Sequence, residues 1–182
     1  GNPYITVDNI EVAQFIYLLL NNQKIRDVIN TITSKVVLIL GRFTPDRFFI
    51  LDALRNELRK HNYMPVIFDF EKPNDRNFIE TVSILAHMSR FIIADFTDAK
   101  IVLQEAEHII RDISIPFMSI MLEGSGREPI TLYDLRKGKT FVPEIVYYQD
   151  ISDLVNKLPK QIVEQAEKIC KTLFGENPIK GK

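Results

Sequence analysis

Residues 89–107 read SRFIIADFTDAKIVLQEAE and contain the boundary around which the predicted fold is built. A short apolar run, FIIA, stops at Asp95, Thr97 and Asp98, and a helical pattern that carries Glu105 follows. This order predicts a buried strand, the loop at its C-terminal end and the next helix. Because ligands of open α/β sheets bind outside the carboxyl ends of the strands, we expect any chemical site of this protein at this boundary.

The segments around this boundary predict a five-stranded parallel sheet. Residues 35–40, KVVLIL, form a continuous β-branched and aliphatic run, which is typical of a central strand covered on both faces. The other predicted strands are 65–68, 91–94, 116–122 and 140–148, and the predicted helices are about 46–60, 77–87, 99–113, 131–136 and 151–174. Strands separated by single helices predict right-handed crossovers. We therefore expect an α/β flavodoxin-like three-layer sandwich with strand order 2-1-3-4-5.

An N-terminal helical hairpin, residues 1–34, is predicted ahead of the α/β domain, residues 35–174. Asp8 and Glu11 have the spacing of a capping box, and apolar patterns predict helices at 10–20 and 23–33. The apolar faces of these helices must pack on the domain, on whatever precedes Gly1, or on a second copy of the chain. Residues 175–182 are expected to form a disordered tail.

The composition of the 182 residues excludes several function classes. Acidic and basic residues nearly balance, with a net charge of −1, so bulk charge gives no reason to expect nucleic acid or an anionic membrane surface as a partner. No apolar run approaches the roughly 20 residues that cross a bilayer, and the first residues lack a signal-peptide pattern. A single cysteine, Cys170, fits a reducing compartment, so we expect a cytoplasmic protein. The start at Gly1, with no methionine, predicts either a piece of a longer protein or a remnant of a tag.

The loops after the first, second and third strands supply the candidate binding residues. The first loop contributes Gly41, Arg42 and Phe43, Asp69 ends the second strand, and Thr97 and Asp98 follow the third. Gly41 either lets a phosphate approach the backbone or is a plain turn glycine. Arg42 either pairs with a phosphate or carboxylate or is a solvated loop arginine.

Two carboxylates are the candidate catalytic groups. Asp95 either caps the next helix and accepts loop amides, or holds a sugar hydroxyl. Glu105 and Glu107 lie on opposite borders of an apolar helical stripe, so one of them can face the crevice while the other is exposed. Periodicity does not decide which border that is. No His/Cys cluster or G-x-S-x-G motif occurs, so neither a metal site nor a hydrolase triad is expected.

Two stretches resemble a known family. Residues 36–99, from VVLILGRFTPDRFF to FIIADFTDA, and QEAE at 104–107 together resemble the bacterial TIR-like domains, relatives of the Toll/interleukin-1 receptor family. They are more distantly similar to nucleoside 2-deoxyribosyltransferases. Residues 1–30 resemble the linker that joins such a domain to a preceding pentapeptide-repeat region.

This resemblance implies two functions. Catalytic members break the N-glycosidic bond of NAD or a nucleoside with a helix glutamate, which Glu105 matches, while Asp95 matches the aspartate of the D-x-T motif. NAD would then be a substrate and not a permanently bound cofactor. The chain lacks the asparagine that usually precedes this glutamate and has no tryptophan. We therefore expect first a self-association or partner-docking module in a bacterial signalling or defence protein, and alternatively an NAD N-glycosidase activated by assembly.

Overall fold

A five-stranded parallel sheet with the order β2-β1-β3-β4-β5 forms the centre of the protein. The structure, a computed structural model, describes residues 9–69, 76–98, 106–107 and 109–175. The strands are β1 (Val36–Gly41), β2 (Met64–Asp69), β3 (Phe91–Asp95), β4 (Phe117–Leu122) and β5 (Val146–Tyr148). Every residue of β1 and β3 is buried, as expected for strands covered on both faces. The predicted flavodoxin-like layout is confirmed.

Two helices precede the sheet, and the helices after them connect the strands and cover both faces of the sheet. They are α1 (Ile10–Asn21), α2 (Gln23–Lys35), α3 (Phe48–Lys60), α4 (Arg76–Met88), α5 (described at 106–107 and 109–112), α6 (Ile130–Arg136), α7 (Ile151–Lys157) and α8 (Gln165–Phe174). A 3₁₀ turn, Pro45–Arg47, precedes α3, and a π-helical segment, Leu158–Glu164, joins α7 to α8. The side chain of Asp150 accepts a hydrogen bond from the Asp153 amide and caps α7, as predicted.

Three boundaries differ from the sequence prediction. The cap of α1 is Asn9, whose side chain accepts from the amides of Glu11 and Val12, while the predicted cap Asp8 lies outside the described residues. Aspartate and asparagine are both preferred cap residues, and the capping-box spacing to Glu11 favoured Asp8 over its neighbour Asn9. β5 has only three residues because a turn closed by the Val142 amide on the Lys139 carbonyl takes up the preceding segment.

The π-helical segment is the third difference, since an uninterrupted α-helix was predicted there. Pro159 lies at its second position and has no backbone N–H for the carbonyl of Val155. A π-helix spaces its hydrogen bonds at i→i+5 and is uncommon. We attribute the widening at Leu158–Glu164 to this proline.

Two apolar cores lie on opposite faces of the sheet. One face packs against α4, α5 and α6, and its buried residues include Leu38, Leu40, Ile92, Ala94, Phe117, Ala86, Ile110 and Leu132. The other packs against α3, α7, the π-helical segment and α8, and its buried residues include Val37, Ile39, Ile93, Ile120, Leu54, Leu154, Ile162 and Ala166. Each strand alternates between the two cores because successive side chains point to opposite faces. This packing holds the strand ends at fixed positions.

The N-terminal hairpin differs from the rest of the fold because neither helix buries a residue. Large apolar side chains on α1 and α2 are 48–73% exposed: Ile10, Val12, Phe15, Tyr17, Leu18, Leu20 and Val28. Among the described residues, no helix is long and apolar enough to cross a membrane.

Candidate functional site

The carboxyl ends of three strands meet at one edge of the sheet. Gly41, the last residue of β1, pairs in register with Asp69, the last residue of β2. On the other side of β1, Leu40 pairs with Ala94, one residue before Asp95 at the end of β3. The predicted juxtaposition of these loops follows from the strand order, because parallel strands end at the same edge.

Asp95 is buried, with 1% of its surface exposed, and each of its oxygens has partners. Oδ1 accepts from the Thr97 amide at 3.0 Å and from the Thr97 hydroxyl at 2.6 Å. Oδ2 lies 2.6 Å from Arg47 Nη2 and 3.3 Å from the Tyr148 hydroxyl. The carboxylate therefore holds its own loop and contacts two distant elements of the fold.

Thr97 extends this network to β4. Its hydroxyl donates to Asp95 and accepts from the Leu122 amide at 3.0 Å, and it lies 3.3 Å from the Tyr148 hydroxyl. An aspartate whose side chain bonds the amide two residues later forms a local turn, so the sequence D-x-T fixes the loop after β3. The hydrogen-bonding capacity of Thr97 is thus used within the protein.

Arg47 and Tyr148 were missed by sequence reasoning. Arg47 ends the 3₁₀ turn before α3, and its Nη2 donates to Asp95 and to the Tyr148 hydroxyl at 2.7 Å. Tyr148 could have been placed near Asp95 from the sequence, because the last residue of a parallel strand reaches the same sheet edge as the end of β3. For Arg47 the indication was weaker, since the sequence shows only that this residue lies in the segment that links β1 to α3.

The electrostatics of the network follow from burial and the Asp95 charge. Burial disfavours the charged form of Arg47, but the nearby carboxylate of Asp95 outweighs it and raises the pKa of the guanidinium. Burial, assisted by the negative charge of Asp95, raises the pKa of Tyr148 to about 12. Near neutral pH the network thus holds a cationic arginine and an intact phenol.

Gly41 and Phe43 belong to the packing of the loop after β1. Phe43 is fully buried in the core that faces α3. A Cβ on Gly41 would lie 2.7 Å from the Phe43 ring, so any side chain there would displace the ring. The missing side chain at Gly41 thus makes room for an aromatic ring of the core.

The remaining candidate residues lie at the rim of the edge. Arg42 Nη1 lies 3.0 Å from Asp98 Oδ2, and the two side chains are 33% and 49% exposed. Arg42 Nε is buried without a hydrogen-bond partner in the described part of the chain. Asp69 Oδ1 accepts from the Phe43 amide at 3.2 Å. Within the described residues, the rim therefore presents an ion pair and a buried donor that has no partner.

The predicted catalytic glutamate, Glu105, lies outside the described residues. The part of its stripe that the structure describes is buried as expected, at Ala106, Ile109, Ile110 and Ile113. Glu107, on the other border of the stripe, pairs with Arg111 at 2.7 Å and its side chain is 34% exposed. Within the described ranges, no three His, Cys, Asp or Glu side chains group as a metal site.

Comparison of the chain with models of known protein families and with curated proteins finds no match in either.

Proposed function

We propose that this chain is a docking module that associates with a second copy of itself through the N-terminal hairpin, as a TIR-like domain in a bacterial signalling or defence protein. The observation that supports it is α1, which is apolar on all sides and buries none of its residues. A helix that is apolar all round is stable only inside a larger packed unit.

The hairpin alone does not cover α1. Its half-buried positions, Ala13, Ile16 and Leu19, lie on one side of the helix and are the ones that α2 can shield. Ile10, Phe15 and Tyr17 point to other sides and are 51–73% exposed. At 12 residues α1 is also too short to span a bilayer, which needs about 20. A partner must therefore cover the remaining sides.

A second hairpin fits this requirement. An open groove of ≈ 470 Å³ runs along α1 and is lined by Ile10, Ala13, Gln14, Tyr17 and Leu18. The hairpin has seven large apolar side chains that are 48–73% exposed and are available to contribute to an interface, which in a standard complex buries roughly 800 Å² per partner. Two hairpins related by a two-fold axis would bury this surface as a four-helix bundle.

Sedimentation velocity of the whole chain tests this proposal. The chain should form a dimer whose population rises with concentration. Ile10→Glu/Tyr17→Glu, which places two charges on the exposed groove, should be monomeric with unchanged circular dichroism. The matched control Ile84→Glu/Ile130→Glu charges two side chains that are 60% and 80% exposed elsewhere, and it should dimerise normally. A monomeric native chain, or a groove variant that still dimerises, would contradict the proposal.

A second candidate is N-glycosidase activity on NAD or a related nucleotide, with NAD as a transient substrate. It is supported by the rim of the sheet edge, where Arg42 Nε is buried and has no partner among the described residues, beside the ion pair of Arg42 with Asp98. A guanidinium donor of this kind is suited to a phosphate oxygen. The network around Asp95 weighs against it, because that carboxylate already has four hydrogen-bond contacts.

The activity test is release of nicotinamide from NAD by the dimeric chain. Glu105→Ala should abolish release, whereas Glu107→Ala, which removes a surface partner of Arg111, should leave it unchanged. If the assembled chain releases no nicotinamide, or if Glu105→Ala keeps full activity, the candidate is wrong.

A further inference from the structure

A groove of ≈ 660 Å³ lies beside the start of β5, at the N-terminal end of the strand and so at the opposite end from the loops after β1 and β3. It is lined by Glu144, Ile145, Val146, Lys160, Gln161, Gln165 and Lys168. Its volume is within the range of pockets that bind small molecules, about 300–1,000 Å³. Its floor is apolar at Ile145 and Val146, and its helical wall carries only cationic and amide side chains.

The donors of this groove are not used within the described part of the protein. Lys160 and Lys168 make no ion pair with a described residue. The side-chain amides of Gln161 and Gln165 form no hydrogen bond to a described residue either. The backbone N–H of Ile145 likewise has no described acceptor. The groove thus gathers several donors that have no described partner over an apolar floor.

The charge balance of the groove is positive. Among the described residues that line it, Glu144 is the one carboxylate. Its side chain is 88% exposed and lies 3.5 Å from Arg136, so it is shared with a cation outside the groove. Two ammonium groups therefore face one partly neutralised carboxylate. Lysine binds phosphate as a compact point charge, and a phosphomonoester carries about −1.5 to −2 at neutral pH.

The helical donors come from two consecutive segments. Lys160 and Gln161 lie in the π-helical segment, and Gln165 and Lys168 lie in α8, which follows it directly. All four residues line the groove. Isolated π-helical turns occur frequently at functional sites.

We propose that this groove binds the phosphoryl group of a small phosphomonoester. Lys160 and Lys168 neutralise its charge, Gln161, Gln165 and the Ile145 N–H donate to its oxygens, and the apolar floor receives the rest of the ligand. This site is separate from the hairpin and from the sheet edge, so it does not depend on the proposed self-association or on any glycosidase activity.

Nuclear magnetic resonance of the ¹⁵N-labelled whole chain tests the site, with inorganic phosphate as the probe at up to about 10 mM, a range that detects millimolar affinity. Saturable shifts are expected for the Ile145 amide and for the side-chain amides of Gln161 and Gln165. Acetate at matched ionic strength should leave them unchanged, and glycerol 3-phosphate should bind more tightly than phosphate if the apolar floor contributes.

Lys160→Ala/Lys168→Ala should weaken phosphate binding at least about tenfold, which corresponds to about 1.4 kcal/mol. Arg59→Ala/Arg127→Ala removes the same charge from exposed positions outside the groove and should bind phosphate as the native chain does. Because all four side chains are exposed, these variants should fold normally. Absence of saturable shifts at the three reporters, or equal weakening by both double variants, would overturn the proposal.

Discussion

Arg47 Nη2 lies 2.6 Å from Asp95 Oδ2 and 2.7 Å from the Tyr148 hydroxyl, so one guanidinium nitrogen joins the ends of β3 and β5 to the turn before α3. Asp95 is 1% exposed and the Arg47 side chain 15%. An ion pair this deep is retained only when both charges are compensated and hydrogen-bonded. We call this buried network of Arg47, Asp95 and Tyr148 the clamp, and it stabilises the sheet edge within the fold.

Asp95→Asn should destabilise the protein by about 3 kcal/mol, because a buried guanidinium then loses its counter-charge. Urea unfolding followed by circular dichroism measures this difference. The matched control is Asp98→Asn, which breaks the exposed pair with Arg42 and should change the unfolding free energy by at most about 1 kcal/mol.

The double variant Arg47→Met/Asp95→Asn should lose less stability than the two single variants added together, since it removes both buried charges. A small effect of Asp95→Asn, or strictly additive single variants, would show that the clamp contributes little.

The layout of the sheet could be predicted because it depends on local and repetitive signals. KVVLIL reads as a doubly covered strand, and the alternation of strands with single helices limits the topology to a few orders. Burial of Ala106, Ile109 and Ile110 follows from spacings of three and four residues. These features require no knowledge of which distant side chains meet.

The clamp at the sheet edge could not be predicted in this way. Arg47 and Tyr148 contact each other across 101 residues and Arg47 contacts Asp95 across 48, and no periodicity encodes such pairs. The packing of the Phe43 ring against Gly41 could not be predicted either, because a glycine after a strand does not indicate which side chain fills the space beside it. β5 is also shorter than predicted because a turn precedes it, and the strand-like composition of residues 140–145 does not indicate that turn.

Tyr148→Phe should reveal the clamp through its pH dependence. The pKa of Tyr148 is raised to about 12 in the folded chain, so its ionisation is easier when the chain is unfolded. Stability from this group is fully present below about pH 10, the ordinary tyrosine value, and is lost as the pH rises towards 12. The advantage of the native chain over Tyr148→Phe should therefore shrink between pH 10 and 12.

Chemical denaturation of both proteins at several pH values measures that difference. Comparison with the variant cancels contributions from other alkaline groups, such as Tyr63 and Cys170. At neutral pH the variant should lose about 1 kcal/mol for the missing hydrogen bonds. A difference that stays constant up to pH 12 would mean that the Tyr148 phenol is not shielded by the fold.

A second network joins α8 to the N-terminal ends of β2 and β3, where Glu167 accepts hydrogen bonds from Tyr63 and Arg90. It should make the stability of the fold depend on pH in the acid range. Burial acts to raise the pKa of Glu167, but hydrogen bonds from Arg90 and Tyr63 outweigh it, so the folded pKa is lowered. Its stabilisation is present above the unfolded value of about 4.5 and is lost as the pH falls through the lower folded value. The advantage of the native chain over Glu167→Gln should shrink below pH 4.5.

Denaturation midpoints at several pH values between neutral and strongly acidic measure this effect. Glu164→Gln, an exposed glutamate three residues earlier, is the matched control and should follow the native curve. If Glu164→Gln and Glu167→Gln have the same pH profile, the contacts of Glu167 with Arg90 and Tyr63 do not stabilise the fold.

Cys170 should be inert to thiol reagents in the native protein. Its side chain is buried, the thiol donates to the Arg90 carbonyl at 3.5 Å, and burial raises its pKa to about 11. At pH 8 only about one thiol in a thousand is then ionised, and the thiolate is the reactive form.

Reaction with a colorimetric disulfide reagent should therefore proceed only at the rate of unfolding and become complete in urea. In a Ser125→Cys variant, the new thiol on the exposed turn after β4 should react at once while Cys170 does not. Rapid labelling of the native chain would show that α8 opens from the sheet without global unfolding.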